Sequence, residues 1–303
     1  MAKAVGCNPM TTRSLVVRVH PLTMPSKGHV PIKYHLLLIP IMTNTQVPST
    51  LTSLSMPLHP YHMTAVSPWP VLVSAAVLAL LSSSALWFNS VDHAGTLTLL
   101  GLASVITAAS LWFKDVVTEG THLGLHTRIV QQCLSLGVSL FIVTEVMLFV
   151  SVFWAYFHSS LSPTVELGTQ WPPTAIVPLS PLTMPLLNTL LLVSSGATVT
   201  YGHHAMFLSL RKAAIVGMGL TVLLAAIFTA LQALEYQQAG FSFGDGAYGS
   251  AFYMSTGLHG LHVIVGTLMI VVALSRLVLY HFTEGHHLGL ESSILYWHHW
   301  CHT

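Results

Sequence analysis

The sequence predicts an all-α protein that crosses a membrane several times. Its 303 residues are 53% hydrophobic and only 6% charged, whereas soluble domains contain about 25% charged residues. The uncharged runs are continuous rather than alternating, and a bilayer admits only helices or closed barrels. We therefore predict a polytopic bundle of transmembrane helices.

Six segments are long enough to cross the ~30 Å hydrocarbon core, which requires about 20 apolar residues in a helix. Glu145 is the only charge within 129–165, and the charges near the other five lie at or beyond their ends. A seventh segment, from Leu288 to Thr303, would reach only about 24 Å at 1.5 Å per residue. The predicted helices lie near 71–89, 95–113, 132–157, 186–205, 213–235, 250–276 and 288–303, the last one truncated.

Basic residues indicate the orientation of these helices. The connections after the second, fourth and sixth segments contain every Lys and Arg downstream of Lys33, and the connections after the other segments contain none. Cytoplasmic or equivalent inner loops carry the excess of Lys and Arg, so the N-terminus is expected on that side. The residues concerned are Lys114, Arg128, Arg211, Lys212 and Arg276.

The first 58 residues differ from the rest of the chain. They contain five basic residues and no acidic one, a composition typical of a mitochondrial targeting segment. Alternatively, translation starts downstream, for instance at Met56 or Met63. We therefore divide the chain into an N-terminal extension at 1–58 and a transmembrane domain at 59–303.

The 19 histidines raise the question of a haem or metal site. His259 and His262 share a helix face because they are three residues apart, but a bis-His haem site usually takes its ligands from two facing helices. Most other histidines lie near predicted loop ends, where they commonly bond to backbone or lipid headgroups. No set of Cys, His and Met has the spacing typical of copper or zinc sites, so we expect no metal ligands.

Other kinds of chemistry lack a motif. Nucleotide-binding and hydrolase signatures do not occur in the right context, so we expect no catalytic residue in this chain. Basic patches that could follow a phosphate backbone are absent as well, which disfavours nucleic acid as a partner.

Glu145 is the most unusual single residue. An ionised carboxylate in hydrocarbon costs at least ~2.5–3.5 kcal/mol and usually faces a partner or a cavity. The residues three and four positions away are Phe141, Ile142, Leu148 and Phe149, so the sequence does not support a proton relay along this helix. A partner must come from another helix, water or lipid, and its role is either functional or a structural hydrogen bond between helices.

A second group of polar residues lies at the adjoining ends of the second, third and sixth segments. One interpretation is a solvated loop, and the other is a site for phospholipid headgroups beside an interfacial Trp. The candidate residues are Trp112, Lys114, Asp115, Glu119, His126, Arg276 and His281.

Long stretches between 59 and 298 resemble one family of membrane proteins. They include "HPYHMTAVSPWP" (59–70), "LWFKDVVTEGTHLGLHT" (111–127), "FIVTEVMLFVSVFWAYFHSSLSPTVELGTQWPP" (141–173) and "STGLHGLHVIVGT" (255–267). These stretches resemble cytochrome c oxidase subunit III in its mitochondrial form.

The resemblance implies a seven-helix bundle in which two helices separate from the other five and enclose a V-shaped cleft filled with phospholipid. It implies a mitochondrial inner-membrane subunit, with its N-terminus on the matrix side, of the complex that oxidises cytochrome c, reduces oxygen to water and pumps protons. Haem and copper would belong to the partner subunits I and II, while this chain stabilises the core and binds lipid. Glu145 matches the family's mid-membrane glutamate at the cleft.

Two features depart from the family pattern. Leu279 occupies a position where a further Lys is common, and after "YWH" the sequence continues as "HWCHT" instead of an aromatic-rich completion of the last helix. Two alternative functions also stay open at this point. One is a His-rich cytochrome with its own haem, and the other is a proton-coupled carrier that uses Glu145.

Overall fold

The computed structural model describes residues 59–174 and 176–301. They form seven α-helices, with no strand among the described residues, and this confirms the predicted all-α class. The predicted N-terminal extension at 1–58 lies outside the described residues. The helices are α1 (Trp69–Phe88), α2 (Ala94–Thr121), α3 (Arg128–Leu161), α4 (Met184–Phe207), α5 (Arg211–Gln238), α6 (Gly246–Val278) and α7 (Leu288–Cys301).

Five of the described helices are long and apolar enough to cross a membrane: α1, α2, α3, α5 and α6. The sequence predicted six full spans, and the difference is α4. It has 24 residues, about 36 Å at 1.5 Å per residue, but polar residues such as Asn188, Ser195 and His203 lower its apolar character. The short seventh helix has 14 residues.

Local sequence explains where several helices begin. Pro70 and Pro185 lie in the first turns of α1 and α4, where the missing N–H of proline costs no helical hydrogen bond. At the start of α3, the Thr127 side chain accepts a hydrogen bond from the backbone N–H of Val130, which satisfies one of the unpaired donors at a helix N-terminus.

The helices form a two-helix group and a five-helix group. Helix α1 packs against α2 so closely that a Cβ added to Gly101 would lie 2.9 Å from the Cα of Leu80. In the second group α4 packs on α5, α5 on α6, and α6 on both α3 and α7. Within the described part of the chain, neither α1 nor α2 packs against a helix of the five-helix group.

Helix α7 is short, but it packs between several helices of the five-helix group. It packs against α3, α4 and α6, and it contributes the two largest fully buried side chains, Trp297 and Trp300. The indole N–H of Trp297 donates to Ser195 on α4 over 3.1 Å. Gly266 on α6 allows this approach, since a Cβ there would lie 3.0 Å from the Trp297 ring.

Candidate cleft and headgroup site

The two helix groups meet at one end. The guanidinium of Arg276, near the end of α6, donates from Nη2 to Thr121 Oγ1, the last residue of α2, over 3.1 Å. Just beyond the same helix ends, the rings of His122 and His281 lie 5.4 Å apart, edge to face. Since α1 and α2 do not pack on the other described helices along their length, these end contacts are what joins the two helix groups.

The segment before α1, together with Trp69 at the start of α1, adds to this end of the bundle. His62 Nε2 lies 3.3 Å from Glu119 Oε2 on α2, and its ring is 6.0 Å from that of His126. The indole N–H of Trp69 donates to Asp115 Oδ2 over 2.5 Å. These contacts hold the leading segment across the end of α2.

Burial controls the charge of two histidines at this end. Burial lowers the pKa of His126, and His62 lowers it further, while Glu119 raises it. Burial also lowers the pKa of His281, with Arg276 and His122 acting in the same direction. Both imidazoles therefore favour their neutral form near pH 7.

Arg276 and Lys114 are two of the positively charged residues at this end. Arg276 lies over the ring of Phe282, 4.4 Å from its centroid, and its Nε is buried with no hydrogen-bond partner among the described residues. Lys114 and Trp112 are exposed on α2. Guanidinium and ammonium groups both bind phosphate, so these two side chains are candidates for contact with a headgroup.

Glu145 has a partner on another helix. Its Oε2 lies 2.7 Å from Nε2 of His262 on α6, and the Glu145 side chain is 19% exposed. The other ring nitrogen of His262 lies 2.7 Å from the carbonyl oxygen of Leu258. The imidazole, which also packs on Phe149 and Trp300, thus connects α3 to α6 in the middle of the bundle.

These contacts weaken the interpretation of His259 and His262 as haem ligands. Both ring nitrogens of His262 already have partners, and Nε2 of His259 lies 2.9 Å from the carbonyl oxygen of Trp300. Iron ligation would have to break these bonds in a buried environment, where an unpaired polar group costs about 1–3 kcal/mol.

The structure brings together most of the predicted polar residues. Asp115, Glu119, His126, Arg276 and His281 all lie at the end where the helix groups meet. Among the described residues, Trp112 and Lys114 make no side-chain hydrogen bond, ion pair or ring contact.

Sequence reasoning missed the partners. His62, Trp69 and Thr121 carry no signal of their own. The sequence pattern pairs His262 with His259 on one helix face and gives no sign that its partner is Glu145.

These features define a polytopic helical membrane protein with a two-helix group and a five-helix group, and a partly buried acid–imidazole bond joins α3 to α6 within the five-helix group. Residues 59–301 match the family model of cytochrome c oxidase subunit III. The chain belongs to the cytochrome c oxidase subunit III family.

Several curated relatives are similar over most of their length. Cytochrome c oxidase subunit 3 of Mycosarcoma maydis is 54% identical over 244 residues, covering 79% of this chain and 89% of the relative. The subunit 3 proteins of Podospora anserina and Rhizopus stolonifer are 50% and 52% identical over 240 residues, covering 79% of this chain and 89% and 85% of the relatives. The resemblance seen in the sequence motifs is thereby confirmed.

Proposed function

We propose that this chain is a subunit of the mitochondrial terminal oxidase that performs no redox chemistry itself. It stabilises the catalytic core, associates with subunits I and II, and holds phospholipid between its two helix groups. The oxidation of cytochrome c, the reduction of oxygen and proton pumping take place in the partner subunits. The membership of the family and the engaged ring nitrogens of His262 support this assignment.

The observation that carries the lipid proposal is the separation of the helix groups. The faces of α2 and α3 expose large apolar side chains such as Leu100, Ile106, Phe141 and Val143, and hydrocarbon is the natural neighbour of such faces. At the joined end, Arg276 and Lys114 supply positive charge for a headgroup phosphate. We therefore place acyl chains in the cleft and the headgroup at the end that contains Arg276.

This end of the bundle faces the matrix in our proposal. It contains the basic residues of three connections, namely those at Lys114 and Arg128, at Arg211 and Lys212, and at Arg276. The positive-inside rule assigns such an end to the inner side of the membrane. The start of α1 at Trp69 lies at the same end.

The lipid proposal is tested on the purified oxidase complex that contains Arg276→Gln. Phospholipid extracted from the complex is counted by mass spectrometry, and we expect the variant to retain fewer molecules per complex than the wild type. Lys212→Gln is the matched control, because Lys212 is an exposed cation at the same end of the bundle, at the start of α5. Equal lipid content in all three complexes would contradict the proposal.

Glu145 has a positioning role in this proposal. Its bond to His262 fixes α3 against α6 beside the cleft. Glu145→Gln can still form a hydrogen bond, so this variant should leave assembly of the complex largely intact. It should alter the amount of retained lipid or the handling of oxygen. Complete failure to assemble would assign Glu145 a purely structural role. Proton-coupled uptake by the chain alone in liposomes, abolished in Glu145→Gln, would instead support the carrier alternative.

A further inference from the structure

Two histidines and one glutamate converge where α4 ends and α7 begins. His203 lies in the last turns of α4, His287 directly precedes α7, and Glu291 lies one turn into it. One potential ligand atom from each residue lies within 4.8 Å of the other two. Tetrahedral Zn²⁺ separates neighbouring ligand atoms by about 3.4 Å, so small side-chain rotations would bring all three onto one ion.

The hydrogen bonding of His287 directs one ring nitrogen toward the cluster. Its Nδ1 lies 2.9 Å from the carbonyl oxygen of Thr283, an oxygen that can only accept, so Nδ1 carries the proton and Nε2 carries the lone pair. Metal-binding histidines usually donate their second ring N–H in this way, which fixes the tautomer and the ring orientation.

Each of the two imidazoles has a buried nitrogen without a hydrogen-bond partner. Nε2 of His203 and Nε2 of His287 have no hydrogen-bond partner among the described residues, and the His287 side chain is only 3% exposed. Nε2 of His287 lies 3.3 Å from Glu291 Oε1 without hydrogen-bond geometry. Buried polar atoms normally find a partner, and a cation at the centre of the cluster would supply one to both.

There is also room for a further ligand. A cavity of about 300 Å³ is lined by His203 and Glu291, together with Ser135 and His298. The Glu291 side chain is 46% exposed, so it can rotate toward the ion. Two imidazoles and one carboxylate, with an open fourth position beside a cavity, are a ligand set that binds zinc in proteins.

We propose that His203, His287 and Glu291 form a binding site for a divalent transition-metal ion, Zn²⁺ in the first instance. The ion would link the end of α4 to the start of α7, and the cavity side would hold a water molecule or an anion as the fourth ligand. This proposal departs from the expectation of the sequence analysis that the chain contains no metal ligands. Because His203 and His287 lie far apart in the sequence, no spacing motif could show them.

The test is a titration of the purified full-length chain in detergent with ZnCl₂ in competition with a chelating indicator. We expect one tight equivalent in the wild type. His287→Gln and Glu291→Gln each remove a ligand, so their affinity should fall by more than the 10–100-fold that is typical for loss of an outer-shell partner. The matched control is His204→Ala, which removes an exposed neighbouring imidazole and should retain the tight equivalent.

Two further readouts separate a site from a folding defect. Helix content by circular dichroism should be the same in all four proteins, and Zn²⁺ should raise the thermal midpoint of the wild type and of His204→Ala but not of His287→Gln. X-ray absorption at the zinc edge should show two imidazole ligands. The absence of a tight equivalent in the wild type, or its equal retention in His287→Gln and Glu291→Gln, would overturn the proposal.

Discussion

The bond between Glu145 and His262 gives the most quantitative prediction. Interhelical hydrogen bonds in membrane proteins average ~0.6 kcal/mol and reach ~1.7 kcal/mol, while a buried polar group that loses its partner costs about 1–3 kcal/mol. The contact is 2.7 Å long and joins a carboxylate to an imidazole that is otherwise surrounded by aromatic rings. We therefore expect a coupling energy of about 1–2 kcal/mol.

Single variants do not isolate this energy. Glu145→Leu also removes the cost of placing an acid in hydrocarbon, and His262→Leu also removes contacts with Phe149 and Trp300. A double-mutant cycle cancels both contributions, because each occurs equally in the presence and absence of the partner. The free energy of unfolding of the full chain is measured in mixed micelles for the wild type, both single variants and the double variant.

Additive effects of the two substitutions would contradict a bond between Glu145 and His262. Coupling below about 0.3–0.5 kcal/mol is the value for residues that do not interact, and it would mean that the two side chains are not bonded. Glu145→Gln should lose less than Glu145→Leu in the same assay, since the amide can still bond to the imidazole. Thr144→Ala is the control, because its hydroxyl bonds within its own helix, to the carbonyl of Phe141.

Three further predictions concern packing and pH. Ser195→Ala removes the hydroxyl that accepts the hydrogen bond from the buried Trp297 indole and should lower the free energy of unfolding by about 1–3 kcal/mol. Ser194→Ala, at an exposed position, is the control and should have little effect in the same unfolding assay. Gly217→Val would place side-chain atoms against the α4 backbone, since even a Cβ at this position would lie 2.8 Å from the Cα of Gly202. Overpacking of this kind destabilises a protein by about 1–3 kcal/mol. Gly219→Val is the control and should be tolerated, because a Cβ at Gly219 has no neighbour within 4 Å. The pKa of His126 lies below its ordinary value of 6.5 because of burial, so the unfolded chain binds the proton more readily. The resulting loss of folding stability is absent above pH 6.5 and grows as the pH falls. It reaches its full size below the pKa that His126 has in the folded chain. The thermal midpoint should therefore decrease on acidification, and His126→Asn should reduce the slope; an unchanged slope would show that His126 does not titrate in this way.

The helical membrane fold could be predicted because few alternatives exist. With 6% charged residues, the chain cannot form a water-facing surface, and its uncharged runs can satisfy their backbone groups in lipid only as helices. The span at α4 was predicted because the segment contains no charged residue. Its uncharged polar residues nevertheless make it less apolar than the other spans, and the positions of the charged residues do not show this.

The partners in the site could not be predicted from local sequence. Glu145 stood out because it interrupts an apolar run, yet His262 lies 117 residues away. Likewise, Arg276 and Thr121 are 155 residues apart. Which helix faces another is decided by packing of small and large residues across several helices, such as Gly266 against Trp297, and this depends on all of them together.

The central claim is that this chain supports an oxidase without carrying a redox centre. The direct measurement is affinity purification of the tagged chain from mitochondrial membranes, with visible spectroscopy and oxygen uptake recorded before and after the subunits are dissociated. Our account predicts that the intact material contains haem and consumes oxygen with reduced cytochrome c, and that the isolated chain has no Soret band. Stoichiometric haem that stays with the isolated chain, or purification without any oxidase activity, would contradict it.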